Sequence, residues 1–169
     1  MYSGYSHKPE PFGAYVALFT LFNAAFTIFV LVAKASGKAI PERLGTSDLL
    51  VLGGATYKLS RLISRDRVTS FLRAPFTELT GPSSTQGEVI EKPRGRGIQR
   101  GLGELLTNPV SVAQWVASCF VYGLVLAPRT TRLLASIFTL ATIADFTRAG
   151  HLALAKAGRL RHEPDTFSD

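Results

Sequence analysis

The residues of this chain best suited to chemistry are ionisable groups beside apolar runs. Lys58 and Arg61 follow Leu49 to Tyr57, while Asp145, Arg148 and His151 follow Leu133 to Ile143. A charge at membrane depth is costly without a partner, so such residues mark either a proton or ion path or a structural latch. Asp145 and Arg148 stand three residues apart and can meet on one helical face; Asp145 could equally neutralise Arg61 across a bundle. For Lys58, Arg61, Asp145 and Arg148 a latch is the simpler expectation, because no second acidic residue lies deep in the apolar runs.

Other chemistries find little support. His7, His151 and His162 lack metal-ligand spacing and have no cysteine partners, so no metal site is expected. There is no G-x-S-x-G elbow, and Ser36, Ser60, Ser111 and Ser118 read as small helix-contact or capping groups. The glycines of Pro93-Arg94-Gly95-Arg96-Gly97 match neither a dinucleotide nor a P-loop pattern; they suit a solvated turn or contact with anionic lipid. The expectation is a protein with no catalytic constellation and no cofactor.

The elements that must position these groups are set by hydropathy. Phe12 to Ala33 and Val110 to Ala127 carry no charged residue, and a bilayer core of roughly 30 Å takes about 20 helical residues. The first run outlasts the roughly 7 to 15 residues of a secretory core, so it reads as a retained helix despite Ala33-Lys34-Ala35 after it. Thr46-Ser47-Asp48 predicts the capped start of a second helix to about Ser64, either a span or an interfacial helix, whose Gly53 and Gly54 permit close helix contact. Asn108 and Pro109 predict the cap and first turn of a third. A short connection from Pro128 to Thr131 leads to a fourth, and so tight a turn predicts an antiparallel hairpin.

The expected fold class is therefore all-α: a polytopic membrane protein, with four transmembrane helices as two hairpins (1–64 and 108–157), a polar excursion (65–107) and a polar tail (158–169). The excursion is rich in Gly and Pro. Within it, Val68, Phe71, Leu72 and Phe76 sit among arginines, and Ile98, Leu102, Leu105 and Leu106 recur at helical spacing; both pieces suit a membrane surface or ordinary loop packing, around a flexible tip.

Charge sets the expected orientation. The excursion carries Arg65, Arg67, Arg73, Lys92, Arg94, Arg96 and Arg100, and with Lys8, Lys156, Arg159 and Arg161 these outnumber Lys34, Lys38, Arg43, Arg129 and Arg132 on the opposite side. The positive-inside tendency then places both termini in the cytoplasm. A net charge of +7 could suggest nucleic acid, but the cations lack an aromatic platform or recognition helix, so anionic lipid is the expected counter-charge and nucleic acid is not an expected partner. Arg65, Arg67, Arg73, Arg94, Arg96 and Arg100 are the candidate lipid or partner contacts. The single cysteine, Cys119, excludes an intrachain disulfide and reads as a small buried side chain.

Taken together, Lys58-Leu59-Ser60-Arg61-Leu62-Ile63, then Asp66 through Phe76, then Pro93-Arg94-Gly95 and Gly103-Glu104-Leu105-Leu106 leading to Trp115, resemble a bacterial membrane-protein family of unknown function that includes a sporulation protein. The resemblance covers about Asp48 to Phe146. It implies a helical protein of the bacterial inner membrane and brings no reaction with it. The family's Cys-Pro-x-Cys segment is here Asn108-Pro109-Val110-Ser111, which keeps a helix cap and removes both thiols. The expected function is a non-enzymatic scaffold or accessory subunit of a membrane complex, contacting anionic lipid and a membrane-protein partner or a second copy. The alternative is a small ion-coupled transporter using Asp145.

Overall fold

A computed structural model describes residues 10–85 and 87–161, with side chains as far as residue 157; His7, Lys8, His162 and the tail from residue 162 lie outside it. Helices α1 (Phe12–Ala35), α2 (Thr46–Arg65) and the short α3 (Ser70–Arg73) precede strands β1 (Thr77–Pro82) and β2 (Val89–Pro93). Helices α4 (Gly97–Thr107), α5 (Pro109–Leu126) and α6 (Pro128–Arg161) follow.

Local chemistry explains the ends. At the close of α1, Gly37 adopts a φ of 65°, while the Gly37 and Lys38 amides donate back to Lys34 and Ala33 at 3.1 and 2.9 Å. This doubly bonded exit needs the left-handed region that glycine enters without a Cβ penalty. At α5, the Asn108 side chain accepts from the Val110 amide at 3.0 Å and Pro109 occupies the first turn. The start of α2 departs from expectation: its cap is Gly45, without a side-chain bond, and Asp48 in the first turn reaches across to Arg132 instead.

Three helices are long and apolar enough to cross a membrane: α1, α5 and the Pro128–Ala157 part of α6. Most of their apolar residues face outward, Phe19, Leu21, Leu31, Val110, Leu133 and Leu140 among them. The expected fourth span, α2, is not in that set. It is the amphipathic helix at the centre of the molecule, packed along both α5 and α6. Leu52 and Ala55 meet Val112, Val116, Phe120, Leu124 and Ala135 in the main core.

The first helix has other neighbours than the expected hairpin partner. It packs on α5, where Phe29 and Ala33 meet Val125, and on α4, where Gly101 admits the methyl of Ala14. Phe22 meets Trp115 edge-on and Phe29 stacks on Tyr122 at 4.3 Å, so α1 and α5 run parallel. Asp48 meets Arg132 and Lys58 meets Asp145, so α2 and α6 are also parallel. The α5–α6 turn reverses direction, with Gly123 facing Thr131.

Helix makes up 73 % of the described residues, which leaves room for one departure from an all-α fold. Inside the excursion, β1 and β2 form an antiparallel ribbon, Thr77 opposite Pro93 and Pro82 opposite Val89, with a bulge between Leu79 and Gly81. The inward residues of this ribbon include Thr77 and Glu91, so the apolar alternation that normally reveals a strand is missing.

Candidate functional site

The seam between α2 and α6 is held by polar groups along its length. At one end the Arg132 guanidinium donates to both oxygens of Asp48 at 2.8 and 2.9 Å. In the middle, the Thr139 hydroxyl donates to the Val51 carbonyl at 2.5 Å and the Thr142 hydroxyl to the Gly54 carbonyl at 2.8 Å. Gly54 makes this approach possible, since a Cβ there would lie 2.8 Å from the Thr139 methyl. Small residues and hydroxyls joining helices are the usual device where hydrophobicity cannot drive helix association.

At its other end the seam opens into a groove of about 600 Å³ bordered by Lys58, Arg61, Asp145 and Arg148, the same four ionisable residues picked out in sequence. The Lys58 ammonium donates to Asp145 at 2.6 Å. Arg61 turns away from Asp145: its guanidinium pairs with Glu88 beside β2, and its carbon lies 5.8 Å over the Tyr57 ring. Of the two cations on α2, it is Lys58 and not Arg61 that pairs with Asp145. His151 is exposed one turn further along α6.

Behind the groove stands a second ionic centre that spacing could not reveal. Arg73 is fully buried, and its five N–H donors each meet an oxygen. Nε and Nη2 grip Glu91 at 2.8 and 2.9 Å, Nη2 also reaches the Asp66 carbonyl at 2.9 Å, and Nη1 reaches the Ile63 carbonyl at 2.5 Å and the Thr69 hydroxyl at 2.9 Å. The Thr77 hydroxyl completes the carboxylate from β1 at 2.8 Å. One guanidinium thereby ties the end of α2, the α3 turn and both strands together.

The arginines grouped as surface contacts consequently divide. Arg67, Arg94 and Arg96 are exposed, with Arg94 3.4 Å from the Pro75 carbonyl; Arg65 is half-buried. Arg100 bonds Glu104 at 2.9 Å within α4, and this carboxylate raises its guanidinium further above the ordinary arginine range. Glu104 also accepts from Tyr15 at 2.5 Å, fastening α4 to α1. Arg73 corrects the grouping, because a side chain with no exposed surface touches neither lipid nor partner.

Cys119 also departs from expectation: it is exposed on α5, along an apolar groove of about 560 Å³ shared with Leu59, Ile63, Leu105 and Phe120. Among the described residues, no three His, Cys, Asp or Glu side chains are grouped to hold a metal ion. The residues missed from sequence are Glu88, Glu91, Thr69 and Thr77. Glu91 and Glu88 carry no local signal, lying 18 and 27 positions from the arginines they hold, whereas Thr69 and Thr77 stand four positions either side of Arg73.

The chain is mostly helical among its described residues and carries three apolar helices of bilayer length beside a folded polar excursion, the build of a helical membrane protein. Residues 51–150 match the family described as Protein of unknown function (DUF1360), and the chain belongs to that family. The matched stretch holds both ionic centres and the whole ribbon while excluding α1. No curated protein and no solved structure matches the chain.

Proposed function

We propose that this protein is a non-enzymatic scaffold or accessory subunit of a complex in the bacterial inner membrane, with α1, α2, α5 and α6 all crossing the bilayer. The parallel pair α1 and α5 runs opposite to the parallel pair α2 and α6, which supports four crossings, and the packing of α2 between α5 and α6 supplies partners for a helix too polar to face lipid. The termini and the ribbon then share the cytoplasmic side, where Arg67, Arg94 and Arg96 meet anionic lipid or an acidic partner.

The observation that carries this reading is the Arg73 centre. A mere connection between membrane helices needs no buried, fully bonded arginine; a presented surface of fixed shape does. Crosslinking in native membranes followed by mild-detergent purification is expected to recover a reproducible partner or oligomer. A lone monomer at native expression would remove the scaffold.

The groove favours a second reading, an ion-coupled transporter, because the Lys58–Asp145 pair is open to it, with side chains 29 % and 55 % exposed. Proteoliposome flux abolished by Asp145→Asn would support that reading, and absence of flux for every ion tried would end it.

A further inference from the structure

We infer that the corner between α2 and β1 is a wedge seated in the headgroup–acyl boundary of the bilayer, with Val68, Phe71 and Leu72 as its inserted face. The inference rests on the proposal that the long helices cross a membrane, and adds a site of lipid contact to it. These three residues are 79 %, 69 % and 49 % exposed, the densest group of outward apolar side chains in the excursion. Phe71 and Leu72 stand on α3 and Val68 on the turn leading into it, and together they make one outward apolar face.

That face is aimed by the bonds behind it. Arg73 and Thr69 point the other way, into the centre formed with Glu91, Ile63 and Asp66. The Asp66 carboxylate accepts from the Val68 amide at 2.8 Å, and the Arg67 amide donates to the Gly87 carbonyl at 3.0 Å. With one side of the turn bonded to the ribbon and the helix end, the apolar side cannot fold inward. Among the described residues nothing covers it, so its neighbour lies beyond them.

The position of the corner identifies that neighbour. It begins directly at Arg65, the last residue of α2, so it lies level with the end of a helix packed among the apolar spans. Arg67, in the same turn, is exposed, and Arg65 is half-buried. The carboxylate between them in sequence, Asp66, accepts from the Val68 amide of its own turn. Apolar side chains flanked by cations at the end of a membrane helix match the lipid boundary, where hydrocarbon lies beneath a layer of phosphates.

The test places a tryptophan on the wedge. In the full-length Trp115→Phe protein, Phe71→Trp is compared with Thr80→Trp on the ribbon bulge, each reconstituted in vesicles of brominated phosphatidylcholine, alone or mixed with phosphatidylglycerol. Tryptophan at 71 is expected to emit to the blue of that at 80 and to be quenched several-fold more strongly by the bromines in both compositions. Val68→Trp provides an independent probe of the same face. Tryptophans at 68 and 71 quenched by aqueous iodide and untouched by bromines would overturn the wedge, as would shielding from both quenchers, which would mean a protein surface covers it. Equal bromine quenching at 80 would overturn it too. Insertion that ignores lipid charge would retain the wedge while removing the anionic-lipid contact of the arginines, so the two readings fail separately.

Discussion

Arg73–Glu91 and Lys58–Asp145 are both cation–carboxylate pairs, and they differ in almost everything that decides their role. The first is enclosed, its side chains 0 % and 5 % exposed, and shared among α2, α3, β1 and β2. The second joins two helices beside an open groove and keeps 29 % and 55 % of its side-chain surface. A buried ion pair is tolerated only when every lone pair and proton is met, and removing one partner strands the other charge. An open pair loses little when broken, because water or headgroups replace the missing partner. Enclosure separates a structural centre from a site free to change.

The sharpest way to break this comparison is Arg73→Met. It leaves Glu91 charged in a closed site and is expected to cost about 3–5 kcal/mol. Thermal unfolding in detergent should record the loss, together with proteolytic cutting inside the ribbon. Arg73→Lys should recover little, since an ammonium cannot span the same acceptors as the planar fork.

A smaller effect is expected at Gly103, where α4 crosses the ribbon. A Cβ there would collide with the Phe76 carbonyl and come within 3.1 Å of Pro93. Gly103→Ala should cost about 1–3 kcal/mol by overpacking, while Gly53→Ala, which meets nothing within 4 Å, should not destabilise. A flat response at Gly103 in unfolding curves would mean that the ribbon is not pressed against α4.

The smallest loss is expected from Asp145→Asn, below about 1 kcal/mol, with the Arg61–Glu88 pair left in place. The same unfolding curves measure it. A loss as large as that of Arg73→Met would show both pairs to be structural and would cancel the contrast.

How much of this was legible beforehand depends on the range of the interaction. The apolar character of α1 and α5 could be read from composition alone, as could the start at Asn108-Pro109, because a helix cap involves neighbours two residues apart. The groove residues Lys58, Arg61, Asp145 and Arg148 were legible as misfits in apolar surroundings, though their pairing was not. The ribbon was hidden, since polar Thr77 and Glu91 stand inward while Leu79 and Ile90 face out, which breaks the usual alternation. Arg73 could not be told from Arg67 or Arg94, being one more arginine in a basic segment.

Sequence by itself determined which segments belong with hydrocarbon and which with water, because transfer between solvents is a local property that a window of residues reports. Only the tertiary structure decided that the less apolar α2 takes the centre while the more apolar α1 stands outside on α5, and that one arginine of six in the excursion is sealed around Glu91. Those outcomes depend on groups tens of residues apart arriving at hydrogen-bonding distance. That requires the placement of whole elements against one another, which no local pattern of residues encodes.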